Sequence, residues 1–297
     1  MKKIYLFSLG LLTVASIFSQ CTPEKGPKID LVKQSGIALD SYYVDAIPQS
    51  AEPKRVLIEE FSGVRCTNCW TGHEATEIIL QNHPNRTVGV TLHVADENIE
   101  PLTHPYNFAN AQNFQTVEST DIDKLFGTYS GMPTALIDRH TFPPATKAFQ
   151  SPPAVWEGLV NNVLNNATPV NITMSNSWNP STRSIKSRIE LHFTADITDA
   201  QYISFMIVEN DIINPQYVSN KIDTFYAKHH NILRKMLTNS TGTLITHETK
   251  KGSVPVYVFQ MDNIPTLWNA DHINLVAFVH GSGDKADVVQ VIEKPLK

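Results

Sequence analysis

What this chain of 297 residues lacks frames the reading. Charge is scarce, at 18% of residues, and acids outnumber bases for a net charge of −5. Lys and Arg form no cluster interleaved with aromatics, which excludes an electrostatic nucleic-acid partner. Beyond residue 20 no apolar stretch is long enough to span a bilayer. No repeat with a period of about 20–50 residues is present, so the chain is neither a solenoid nor a propeller. Cysteine is nearly absent, with only three in the chain, Cys21, Cys66 and Cys69.

The N-terminus carries an export signal. Met1-Lys2-Lys3 is basic, and Ile4 to Phe18 is apolar but short for a transmembrane helix. The stretch ends at Ser19-Gln20-Cys21, which resembles a bacterial lipoprotein signal in which the cysteine is acylated. Gln20 and Phe18 depart from the commonest form of that signal. An ordinary cleaved signal peptide with a stray cysteine is the alternative. If Cys21 carries lipid, Cys66 and Cys69 are the only thiols left, and they can oxidise only with each other or with a partner.

Those two thiols form the most informative motif. Cys66-Thr67-Asn68-Cys69 follows an apolar, β-favouring run from Arg55 to Phe61 and opens a stretch that predicts a helix over 67–81. A C-x-x-C pair at a strand-to-helix junction reads as a thioredoxin-type redox site. Free N–H groups and the positive end of the helix dipole favour a thiolate there. Cys66 is the expected exposed nucleophile and Cys69 the shielded resolving thiol. Arg65, beside Cys66, is expected to favour its thiolate. His73, one helical turn beyond Cys69, could tune the pair, although a solvated helical histidine is the plainer expectation.

Further along, Thr87–Val94 alternates with Val88, Val90, Leu92 and Val94 on one face, which predicts a strand. A short helix over 120–126 is expected, capped by Ser119 or Thr120. Met132-Pro133-Thr134 then precedes a strand over 135–138. Downstream of C-x-x-C, this predicts a cis proline whose backbone docks an extended substrate beside the dithiol. A weak or bulged strand is expected between 139 and 148, and an amphipathic helix within 152–167 carries the stripe Trp156, Leu159, Val160, Val163 and Leu164.

From residue 169 the texture becomes β-type, with runs at 170–174, 185–193, 202–208, 254–261, 273–280 and 288–292. These predict a β-sandwich. The intervening His229-His230 segment reads as a long crossover, with at most a helical turn.

The expected organisation is a signal peptide over 1–20, a tether over 21–52, a thioredoxin-like α/β domain over 53–167 and an all-β sandwich over 168–297. A short strand near 41–44 is allowed within the tether.

The run Leu57 to Cys69 with Gly72-His73, the block Gly131 to Thr134 with Ile137-Asp138-Arg139, and the block His229 to Leu237 are together similar to the outer membrane protein 28-related lipoproteins of Bacteroidetes. That resemblance implies an outer-membrane lipoprotein, periplasmic or surface-facing, with a thioredoxin-like domain and a sandwich. It implies no settled activity.

The functional expectation is a membrane-anchored, extracytoplasmic thiol–disulfide oxidoreductase. It would act on exported proteins, or on a redox partner, through mixed disulfides. The alternative is a non-enzymatic surface lipoprotein whose Cys66–Cys69 disulfide is structural. A metal site built from Cys66, Cys69, His73 and His93 or His104 was weighed and set aside, because a C-x-x-C at a helix start faces away from such ligands. No cofactor and no metal are expected.

Overall fold

The structure, a computed structural model, describes residues 36–297 except 128, 228, 284 and 285. The signal segment and Cys21 lie outside the described residues.

The first half is built on β2 (Val56–Phe61) and β3 (Thr87–Leu92), paired in parallel from Val56/Thr87 to Phe61/Leu92. A parallel pair needs a crossover. The helix α1 (Cys69–Asn82) supplies it, starting two residues later than the motif suggests. On the other side of β2 runs antiparallel β4 (Thr134–Ile137), followed by β5, which is only Phe149–Gln150. Pro143–Pro144 precedes it, and proline donates no ladder hydrogen bond.

Every residue of β2 and β3 is buried, so both sheet faces are covered. On one face Val56, Ile58, Ala135 and Ile137 pack against Ile79 of α1 and Trp156, Val160 and Val163 of α4 (Trp156–Leu164). On the other, Leu57, Phe61, Val90 and Leu136 meet Ile122 of α3 (Val117–Phe126). The cap of α3 is Thr116, whose Oγ1 accepts the Ser119 N–H at 3.0 Å. The cap therefore lies three residues before Ser119. A short helix α2 (Glu100–Thr103) precedes α3.

The second half is β-rich, as expected, and two of its sheets face each other. One sheet has the order β1-β13-β7-β6, formed by Gly36–Val44, Ser253–Met261, Ser184–Phe193 and Val170–Asn179. Facing it are β8 (Tyr202–Glu209), β14 (Ile273–His280) and β15 (Val288–Pro295). Ile189, Leu191, Tyr257 and Phe259 of one sheet bury against Phe205, Ile207, Leu275 and Val279 of the other. The segment read as a tether thus contributes a nine-residue strand to the sandwich.

The stretches 53–167 and 168–297 share a sheet. Its order is β15-β14-β8-β11-β3-β2-β4-β5, with β11 being Ile232–Met236 and the short β12 (Thr243–Leu244) also pairing with β8. β11 is antiparallel to β8 and parallel to β3. The segment around His229-His230 is extended rather than helical: His229 bridges Ile212, and Asn231 O accepts the Thr91 N–H at 2.7 Å.

Buried charges sit on both sides of this join. Arg139 forks onto Glu59 with two bonds of 2.7 Å, both side chains fully buried. The Arg139 guanidinium also lies 4.9 Å from the ring centre of Phe278 on β14. Arg234 on β11 binds Glu209 on β8 at 2.7 Å and Gln112 at 2.6 Å. Removing one partner of a buried pair strands the other charge. Arg139→Met should therefore lower the free energy of unfolding by about 3–5 kcal/mol. The double change with Glu59→Leu should recover most of that loss in urea denaturation.

Candidate functional site

β2 delivers the dithiol. After Phe61 the chain turns through Ser62-Gly63-Val64, and Cys66 N–H donates to Gly63 O at 3.1 Å. Gly63 has no room for a side chain, since a Cβ would lie 2.4 Å from Leu102 O. Cys66 and Cys69 are joined as a disulfide, with Cα atoms 5.4 Å apart. Cys69 is the first residue of α1, and Asn68 precedes it at the N-cap position without a side-chain capping bond. Thr67 and Asn68 are exposed above the bond.

Both sulfur-bearing residues are shielded. Cys66 is 3% exposed and Cys69 0%. Cys66 is therefore not the open thiol expected from its position, although it remains the more accessible of the pair. The cover comes from the second half of the chain and from the proline loop. Tyr217, in the hairpin strand β9 (Gln216–Val218), donates its N–H to Val64 O at 2.8 Å. Gln216 Nε2 donates to Gly63 O at 3.2 Å.

The Met132–Pro133 bond is cis, and Met132 O lies 3.8 Å from Cys66 Sγ. Thr134 is buried and opens β4, its hydroxyl donating to Gln150 O at 3.0 Å. Arg65 is directed elsewhere than expected. It donates to His104 O and Pro105 O at 2.8 Å each and lies 4.4 Å from the ring centre of Tyr106. Its charge braces the loop after α2.

His73 is buried rather than solvated. Its Nε2 is 2.7 Å from Ser62 Oγ and 3.7 Å from Glu60 Oε1, and its Nδ1 is 3.2 Å from the Tyr226 hydroxyl. Tyr226 and His229 come from the crossover and meet edge to face on the same side, their ring centres 5.0 Å apart. His229 is fully buried, with Nε2 at 3.2 Å from Asn214 O, whereas His230 is partly exposed. Burial first, then the neighbouring histidines, pushes His229 well below the ordinary imidazole range. Burial, then His73 and Arg234, takes His93 down to about 3. Both are neutral at physiological pH. Among the described residues no group of His, Cys, Asp or Glu is arranged to hold a metal ion.

Glu60 is the site residue that the sequence reading missed. It points from β2 toward α1, and its Oε2 accepts from Thr76 Oγ1 at 2.9 Å. Its Oε1 has no hydrogen-bond partner. A Cβ on Gly72 would lie 2.6 Å from that oxygen and 2.8 Å from Pro133 Cβ. Gly72 is one turn beyond Cys69 on the same helix face, so its lack of a side chain lets the carboxyl, the helix and the proline loop meet. Burial raises Glu60 to about 8, and the Thr76 bond offsets only part of that rise. The available signal was a carboxylate in the middle of the otherwise apolar run Val56-Leu-Ile-Glu-Glu-Phe61.

Because the folded value lies above the ordinary 4.5, the native state holds a proton that the unfolded state loses first. Stability from this group is complete below about 4.5 and declines as pH rises to about 8. Glu60→Gln should flatten that decline. At about 1.4 kcal/mol per pKa unit, the difference is large enough to read in urea midpoints across the range.

Two solved structures share this fold, and a third superposes only weakly. HBP35 of Porphyromonas gingivalis superposes with a TM-score of 0.61 at 16% identity, over 84% of this chain and 77% of that one. A protein of Agrobacterium tumefaciens gives 0.51 at 11% identity, over 84% and 97%. A domain of the outer membrane lipoprotein Omp28 from Porphyromonas gingivalis gives 0.32 at 14% identity, over 44% and 89%. No curated protein matches the sequence. The family profile of outer membrane protein Omp28 matches residues 121–297, a stretch that contains the proline loop and His229 but not the cysteines. The chain therefore belongs to the Omp28 family of outer membrane proteins.

Proposed function

We propose that this chain carries out thiol–disulfide exchange on exported proteins, held at the outer membrane by lipid on Cys21. In this reading residues 53–167 are a thioredoxin-like unit grafted onto the sandwich. Cys66 is the sulfur attacked or attacking, Cys69 resolves, and Met132-Pro133-Thr134 docks the partner's backbone. The observation that carries the reading is the placement of Cys66 Sγ 3.8 Å from the Met132 carbonyl, with the protonatable Glu60 behind Gly72.

The exchange balances without a cofactor. A client thiolate attacks Cys66 Sγ, the Cys66–Cys69 bond breaks, and Cys69 leaves as a thiolate. In this reading Glu60, which burial keeps largely protonated at neutral pH, supplies the proton that neutralises it. A second client thiolate attacks the client sulfur of the mixed disulfide and releases Cys66. The client loses two electrons and the protein gains them. The reverse sequence reduces a client disulfide.

The burial of both cysteines favours a second reading, a structural staple in a binding lipoprotein. The two readings separate on one variant. Cys69→Ser should trap mixed disulfides through Cys66, whose thiolate attacks a client disulfide and expels one client thiolate, visible by mass spectrometry after mixing with a disulfide-bonded client. Closing so short a loop contributes at most about 2 kcal/mol by chain entropy, so the variant should stay folded. Loss of folding with no adduct would establish the staple.

A further inference from the structure

Beside the dithiol lies a groove of about 580 Å³ between α2, the end of α3 and the proline loop. Ile99, Leu102, Tyr129 and Met132 form its apolar walls. Two of its lining residues, Met132 and Leu102, also touch the dithiol loop. Met132 places its carbonyl on Cys66, and the Leu102 carbonyl accepts the Arg65 N–H at 2.8 Å.

Its polar groups are unbalanced. Asp96 and Asp123 line it, with Lys124 as the only cation among the lining residues. Asp123 is 8% exposed, and its Oδ1 has no hydrogen-bond partner. The Tyr129 hydroxyl is likewise buried without a partner. Buried polar atoms are ordinarily satisfied, and each exception calls for an explanation. Here both residues line one groove, beside the proline loop. Burial, and then the Asp96 charge, raises Asp123 to about 6, so it remains largely ionised at neutral pH. A cation with an apolar stem would fill the groove and satisfy both atoms.

We infer that this groove selects clients whose reactive cysteine lies near an arginine or lysine, taking that side chain with its stem against Ile99, Leu102 and Met132 and its head on Asp123 and Tyr129. The inference rests on the exchange reading for its biological meaning but not for the binding itself. Asp96 is already engaged with Asn98, through its backbone N–H and side-chain amide at 3.0 Å each. It therefore adds field rather than a direct contact.

The test uses the exported chain and synthetic peptides. One arginine is moved along an otherwise neutral cysteine peptide, with glutamine as its control. Exchange should be about fivefold to tenfold faster for the best arginine peptide. Asp123→Asn should abolish that preference while leaving reduction by dithiothreitol unchanged. Tyr129→Phe should weaken it. A serine-for-cysteine version of the arginine peptide should bind the parent chain, and not Asp123→Asn, in calorimetry. That arm stands even if the disulfide proves inert to every thiol, an outcome that sinks the exchange reading alone. Equal rates for arginine and glutamine peptides, with no calorimetric difference between the parent chain and Asp123→Asn, overturn the groove assignment and leave the exchange reading intact.

Discussion

The structure depends on one sheet junction. A parallel strand such as β3 leaves a row of unpaired backbone groups on its outer edge, and in this chain β11 meets them. The contact is narrow, with Ile232 opposite Thr91 and the Thr91 N–H on Asn231 O. It nevertheless makes one sheet of what would otherwise be two. An uncovered edge is a site for unwanted pairing, and the sandwich caps it from within the same chain. The apolar cluster under the junction combines Leu57, Val90 and Leu92 with Met206, Leu233 and Phe278, so the two halves also share a core.

That junction creates the site's surroundings. To reach β3, the chain between β8 and β11 must cross over α1 and the turn before it. It lays Gln216 and Tyr217 on Gly63 and Val64, and Tyr226 and His229 against His73. The histidines there are neutral because burial disfavours their charged form. The result is a cluster of buried rings, His73, Tyr226 and His229, behind a C-x-x-C disulfide. The crossover also covers Cys66 more deeply than a helix start alone would.

Much of the architecture was legible. The alternation at 87–94, the amphipathic stripe from Trp156 to Leu164 and the later β-runs all lie in elements of the expected type. The Met132–Pro133 bond is cis. Such patterns are local, because periodicity reports which face of one element is buried. Positions that depend on a distant partner were misjudged. His73 looked solvated from its helix, and its partners Ser62 and Tyr226 are 11 and 153 residues away. Arg65 looked like a cation for Cys66, and two backbone carbonyls of the following loop claim it instead.

The sequence by itself determined the elements, the dithiol at a helix start, the proline loop after it and the membership in an outer-membrane family. These follow from spacing along the chain, which the order of residues carries directly. Only the tertiary structure decided that residues 36–44 belong to the sandwich, that both halves share a sheet, and that Glu60 is a buried carboxyl against Gly72. Strand pairing and burial depend on contacts between residues far apart in the chain. A carboxylate in an apolar run is only a conspicuous letter until the groups packed around it set its proton affinity.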